Sequence, residues 1–272
     1  MGGMEIGIST ASYFPKLYTE QTIEHIAALG ADVCEVFFAS RCEYRREFAD
    51  IVRGELDRYG VKAHSVHALT TQFEPEFFSR NDRAYADAVE VGEEVLTAAE
   101  TLGARCYTFH GAMCLKKKKY TADYPFFAAR LNALCEQAKR HGVTLCYETV
   151  HWAYFNTPEY FARLKELVPD LGATLDIKQT MQTGLGYRPF MDVIGDRLKT
   201  VHLCDFDDVG RLSLPGEGTF DFVTLFARLN DIGYTGPALM EVYTGNYDTE
   251  DRLRRAYEHL KECAAKADAL CR

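Results

Sequence analysis

The chain has no Cys-x-x-Cys pair, no linker rich in proline, glycine or serine, and no low-complexity tract. It also has no apolar run near the roughly 18 residues that a membrane span needs. Each absence excludes something. Its nine cysteines are odd in number and unpaired in spacing, so they do not read as a disulfide framework. Cys34, Cys106, Cys135 and Cys146 instead fall inside apolar runs, where a free thiol behaves as a small hydrophobe. A reducing cytoplasm is the expected setting. The first residues, MGGMEIGIST, carry neither a basic start nor an apolar core, so no signal peptide is expected. Basic residues are scarce beside acidic ones, 31 against 40, for a net charge of −9. Nucleic acid and anionic membrane are therefore not expected as partners, since both want a basic face. With no linker, residues 1–272 are expected to form one domain.

What is present is an ordinary globular balance, 47% hydrophobic and 26% charged, with enough apolar residues for a sizeable core. Short apolar runs recur at 5–10, 32–38, 61–68, 104–110, 143–150, 172–177, 198–204 and 237–243. Between them lie stretches with apolar residues three and four apart, at 19–29, 43–59, 81–102, 122–141, 157–168, 188–195, 219–232 and 248–270. Gly30, Gly60, Gly103, Gly142 and Gly233 stand where a left-handed helix stop fits. Thr157 before Pro158 reads as a cap followed by a first-turn proline. Eight strand–helix alternations predict an α/β fold, a closed (β/α)₈ TIM barrel. A doubly wound nucleotide fold is disfavoured because GISTASYF, after the first run, is not G-x-G-x-x-G.

In such a barrel chemistry gathers where strands end. The strands expected in the third to sixth runs end in His67, His110, Glu148 and Asp176; the seventh carries His202 and the eighth Glu241. Singly, each has a bland reading: an interior histidine with a hydrogen bond, a glutamate paired with arginine or lysine, an aspartate capping the next helix. Six on six consecutive strands are hard to explain structurally, because polar groups in a barrel mouth cost energy unless paired or bound to a cation. Three carboxylates and one imidazole, Glu148, Asp176, His202 and Glu241, form an oxygen-rich set suited to Mn²⁺, Mg²⁺ or Co²⁺, with Zn²⁺ also possible.

The segments SVHA (65–68), TFHGA (108–112), CYETVHW (146–152), TLDIKQ (174–179), VHLCDFD (201–207), LPGEG (214–218) and LMEVY (239–243), in this order, resemble the xylose-isomerase-like barrel superfamily. The resemblance spans essentially the whole chain and points to its sugar and sugar-phosphate isomerases, the ketose 3-epimerases in particular. It implies one divalent cation held by Glu148, Asp176, His202 and Glu241. It also implies that Glu148 and Glu241 act as an acid–base pair on a carbohydrate, shifting a proton next to a carbonyl through a cis-enediolate. His67, His110, Gln179, Arg211 and Trp152 are expected at the substrate. Gln179 departs from the family, many of whose epimerases carry histidine there; glutamine keeps a donor and an acceptor but takes no charge. The three-zinc apurinic-site endonucleases of the same barrel also need that histidine and an Asp-x-His pair after the seventh strand. Only His259 follows His202, so that reading is disfavoured. A dehydratase, a hydroxypyruvate-type isomerase and a non-catalytic ligand-binding barrel stay open, as does a homo-oligomer. The run Lys116–Lys119 reads as a solvated loop. Phe38, like Trp152, could stack on a sugar, while Tyr257 and Leu260 read as core.

Overall fold

A computed structural model describes residues 3–69, 73–114 and 121–270. The barrel strands are β1 (Ile6–Ser9), β2 (Val33–Phe38), β3 (Lys62–Ala68), β4 (Cys106–Phe109), β5 (Thr144–Glu148), β6 (Gly172–Asp176) and β7 (Leu198–Leu203). Two short strands, β8 (Asp205–Phe206) and β9 (Leu212–Ser213), pair antiparallel outside the barrel, and β10 (Ala238–Met240) is its eighth stave. All barrel pairings are parallel, and the ring closes between β1 and β10. The fold is the TIM barrel expected, in one domain.

The helices are α1 (Thr19–Ala28), α2 (Arg46–Tyr59), α3 (Asp82–Leu102), α4 (Tyr124–Arg140), α5 (Pro158–Leu167), α6 (Ile177–Gln182), α7 (Arg188–Ile194), α8 (Phe222–Asp231) and α9 (Glu250–Leu270). In α3, Ala88, Val91, Val95, Ala98, Ala99 and Leu102 form one buried face at helical spacing. Asn81 starts that helix by accepting the Arg83 amide, and Gly103 ends it at φ 71°. Tyr257 and Leu260 of α9 are buried as expected. One cap differs from expectation: Pro158 opens α5, but the Thr157 side chain makes no cap hydrogen bond. The cysteines Cys34, Cys106, Cys135 and Cys146 are buried and free. No helix among the described residues is long and apolar enough to cross a membrane.

Alternation along each strand sends every second side chain into the barrel. The interior layer below the strand ends is polar: Ser9, Glu35, Ser65, Thr108, Thr174 and Thr200 are all fully buried. Two register shifts tune it. One lies between Cys34 and Glu35 on β2, which sets Glu35 opposite Ser65; the other, between Ala173 and Thr174 on β6, sets Asp176 opposite His202. An extra residue in one strand re-aims the side chains that follow it.

Candidate active site

The strand ends converge as the sequence predicts. Glu148 closes β5, Asp176 closes β6, His202 lies in β7, and Glu241 directly follows β10, its amide donating to the Leu203 carbonyl at 3.0 Å. Each of the four offers a ligand atom within 4.8 Å of the others. All four are buried, Glu148, Asp176 and His202 at 1% exposure. His202 Nδ1 lies 3.0 Å from Glu148 Oε1 and 3.5 Å from Glu241 Oε2.

Asp176 does two jobs. Oδ1 accepts the Gln179 amide at 2.9 Å and so caps α6. Oδ2 has no hydrogen-bond partner among the described residues, with Lys178 Nζ at 3.4 Å. Glu148 Oε2 also makes no hydrogen bond among them, and its near neighbour is His110 Nε2, 2.8 Å away in an ion-pair contact. Such bare oxygens are costly in a buried site and are the atoms a cation satisfies.

His67 and His110 sit beside this set. His67 Nε2 is 3.0 Å from His110 Nε2, and His67 Nδ1 is 3.2 Å from Glu35 Oε1. Together with Glu148 the two histidines form a second possible ligand group. Glu74 holds the chain at His110 by accepting the His110 amide at 2.8 Å, the Gly111 amide at 3.3 Å and the Tyr107 hydroxyl at 2.7 Å. Gly111 has φ 74°, and a Cβ there would meet Tyr147 Oη at 2.4 Å, so only glycine fits this turn.

The electrostatics follow from acids outnumbering fixed cations. Burial alone would raise the carboxyl of Glu241, but Lys178, His202 and His67 hold it down at about 2. Glu148 is likewise held well below the usual range, His110 and His202 overriding burial. Asp176 goes the other way: burial, with Glu148 and Glu241 adding to it against Lys178, pushes it up to about 6. Burial would lower His67, yet Glu35, Glu241 and Glu148 push it up to about 10. His202 is raised in the same way, by Glu35, Glu241 and Glu148 against burial. Lys178 donates to Glu241 Oε2 at 3.2 Å and to the Tyr243 hydroxyl at 3.0 Å. Ligands must shed such protons to take a metal, so an acid-rich set with two bare oxygens fits a divalent cation.

Above this set lies a cleft of about 230 Å³, with Phe14, Phe37, Trp152 and Tyr243 among its walls and His67, His110, Lys178 and Gln179 at its polar side. Trp152 stacks on His110, centroids 5.7 Å apart. Gln179 Oε1 accepts from His151 Nδ1 at 2.6 Å, which fixes the amide's orientation. Arg211 does not join the cleft. Its guanidinium pairs with Asp207 at 2.8 Å and its side chain is 79% exposed, because Asp205 gathers the surrounding loop by accepting the amides of Phe206, Gly216, Gly218 and Phe220. Phe38 is buried against Tyr44; its neighbour Phe37 is the cleft residue, one position earlier and so on the opposite face of β2. Lys116–Lys119 lie outside the described residues.

Three residues escaped the sequence reading. Glu35 lies inside the run DVCEVFF, and a charge amid apolar residues was its signal. Lys178 lies two residues after the end of the Asp176 strand, and nothing in the strand pattern marks it. Glu74 sits in a short 3₁₀ turn, Glu74–Phe78, with no strand pattern to mark it.

Fold and site together define a TIM barrel with a buried carboxylate–imidazole centre at the C-terminal ends of its strands. The pattern of the xylose isomerase-like TIM-barrel family matches residues 23–263, and the chain belongs to that family. It is 24% identical over 247 residues to L-ribulose-5-phosphate 3-epimerase UlaE of Escherichia coli O1:K1 / APEC, covering 84% of this chain and 81% of that protein. A solved D-tagatose 3-epimerase-like protein superposes with TM-score 0.81 at 21% identity, covering 99% of this chain and all of the other, 100%. The IOLI protein with a bound zinc atom superposes with TM-score 0.78 at 17% identity, covering 97% of this chain and 98% of the other. An enzyme of the isomerase and epimerase class is the reading these relatives support.

Proposed function

We propose that the chain is a divalent-metal-dependent epimerase or isomerase of a small carbohydrate, with Glu148 and Glu241 as its acid–base pair. The observation that carries this is the oxygen-rich set Glu148, Asp176, His202 and Glu241, in which Asp176 Oδ2 has no hydrogen bond among the described residues. Mn²⁺, Mg²⁺ or Co²⁺ suits three carboxylates and one imidazole; Zn²⁺, present in the IOLI neighbour, is also compatible. Bound there, the ion supplies positive charge for the oxygen of a ketone whose neighbouring C–H is being ionised, typically worth several kcal/mol.

The remaining work belongs to the chain's own side chains. Glu148 and Glu241 stand on strands separated in the ring by β6 and β7, so they approach the cleft from two directions. A carboxylate on one side takes the proton, adding roughly 10²–10⁴-fold as general base. Return of a proton from the other side inverts the centre; return to the neighbouring carbon interconverts aldose and ketose. Lys178 keeps Glu241 ionised and oriented. His67 and His110 offer ring nitrogens to substrate hydroxyls, and Trp152 and Phe37 give an apolar wall for C–H faces. Gln179 presents its amide to substrate oxygens with Oε1 anchored on His151. Arg211 has no part in this reading. The buried free thiols of Cys34, Cys106, Cys135 and Cys146 suit a reducing cytoplasm.

The test uses a panel of ketoses and their phosphates in D₂O with the Mn²⁺-loaded protein. Deuterium should enter a carbon next to the carbonyl of at least one sugar, read by mass spectrometry, and should stop entering after chelation. Exchange that ignores added or removed metal contradicts the proposal, and so does loss of water from the sugar, which marks a dehydratase.

A further inference from the structure

Glu35 is fully buried and outside the set that faces the cleft. Its two oxygens accept from five side chains on four strands. Oε1 takes Ser9 Oγ at 3.1 Å from β1 and His67 Nδ1 at 3.2 Å from β3. Oε2 takes Ser65 Oγ at 2.8 Å, Thr108 Oγ1 at 2.9 Å from β4, and His202 Nε2 at 3.2 Å from β7. An ionised carboxylate only accepts, so the nitrogen of His202 that faces it is an N–H. The other nitrogen, Nδ1, lies beside Glu148 and Glu241, where a bound cation would take the place of its proton.

From this geometry we infer that Glu35 is the positioning residue of the cation site: it holds the proton of His202 on Nε2, so that the Nδ1 lone pair is the one presented to a metal ion. The inference rests on the proposed cation site and adds a residue to it. A ring nitrogen bound to a carboxylate fixes both the tautomer and the ring plane of a ligating histidine, and losing such a partner typically weakens metal binding about 10–100-fold. The location is economical in a physical sense. Ser9, Ser65 and Thr108 satisfy the remaining lone pairs of Glu35, so the carboxylate cannot turn away from His202 without stranding a hydroxyl. Glu35 touches none of the groups proposed to bind substrate except His67, and it acts through His202.

The test measures Zn²⁺ affinity by calorimetry and unfolding temperature in chelator for four proteins. Glu35→Leu should bind Zn²⁺ about 10–100-fold more weakly than wild type. Glu35→Gln, whose amide oxygen can still accept from Nε2–H, should stay close to wild type. Ser65→Ala combined with Thr108→Val removes two donors to Glu35 without touching His202; it should lower the unfolding temperature and weaken affinity by clearly less than Glu35→Leu does, since Glu35 and its bond to His202 remain. Equal weakening in Glu35→Leu and the Ser65/Thr108 pair overturns the inference in favour of plain structural support. So does wild-type affinity in Glu35→Leu. Should Glu35→Leu not fold, ¹⁵N spectra of the zinc-loaded wild type decide: His202 with a protonated Nε2 and a metal-bound Nδ1 is the expected signature, and the reverse overturns it. A wild type that takes up no Zn²⁺ overturns the cation site itself, and this inference with it, whereas failure of the variants alone overturns only the role of Glu35.

Discussion

Two arcs of the same barrel face its interior with different chemistry. The arc β5, β6, β7 and β10 carries Glu148, Asp176, His202 and Glu241, acids and an imidazole with two carboxylate oxygens lacking hydrogen bonds among the described residues. The arc β1 to β4 carries Ser9, Glu35, Ser65, His67, Thr108 and His110, whose polar atoms mostly bond one another. One arc leaves carboxylate oxygens that could hold a cation; the other spends most of its polar atoms on bonds within itself. The difference teaches that burial alone does not leave a carboxylate oxygen free. Glu35 and Asp176 are equally buried acids on barrel strands, yet all five contacts of Glu35 are donors, whereas one oxygen of Asp176 has none.

Substitutions can break that contrast in order of effect. Glu148→Gln and Glu241→Gln should each lose roughly 10²–10⁴-fold in turnover while staying folded, seen as an unchanged circular dichroism spectrum. Near-normal turnover in either removes it from the acid–base pair. Asp176→Asn and His202→Ala should weaken Mn²⁺ binding, measured by calorimetry, by more than the about 10–100-fold that loss of a supporting partner costs. Asparagine keeps an oxygen for the Gln179 amide, so α6 should survive, visible as unchanged circular dichroism.

Lys178→Met removes the fixed cation between Asp176 and Glu241. Breaking a buried pair from one side costs about 3–5 kcal/mol, and denaturant unfolding in chelator should show a loss of that size. Added divalent metal should recover part of it, since binding stabilises the folded state; a variant as stable as wild type without metal means that Lys178 compensates nothing. Arg211→Ala comes last, with a change in stability of about 0–1 kcal/mol, typical of an exposed pair, and unchanged turnover. A marked rise in KM would instead return Arg211 to the substrate.

The sequence carried most of the first arc and little of the second, for physical reasons. Strand ends could be found because runs such as VTLCYETV and GATLDI each carry one acid near their close, Glu148 and Asp176, and glycines such as Gly60 and Gly103 take up the left-handed stop expected of them. The helix α6 has only six residues, too few for a periodic signal, and β8 and β9 have two each. Glu35 was hidden because alternation tells which face a residue takes but not what waits across the barrel. Its partners come from residues 9, 65, 67, 108 and 202, contacts that exist only once the ring closes. Arg211 misled for the complementary reason. Its place near LPGEG suggested a loop over substrate, but Asp207, four residues earlier, captures the guanidinium locally. The question left by Gln179 is sharpened by His151, which takes up the amide oxygen that a substrate would otherwise meet.

Anomalous diffraction from crystals soaked in Mn²⁺ tests the cation site most directly. The expected result is one strong peak within coordination distance of Glu148, Asp176, His202 Nδ1 and Glu241. A peak held instead by His67, His110 and Glu148, or no peak at the strand ends at saturating Mn²⁺, would contradict it.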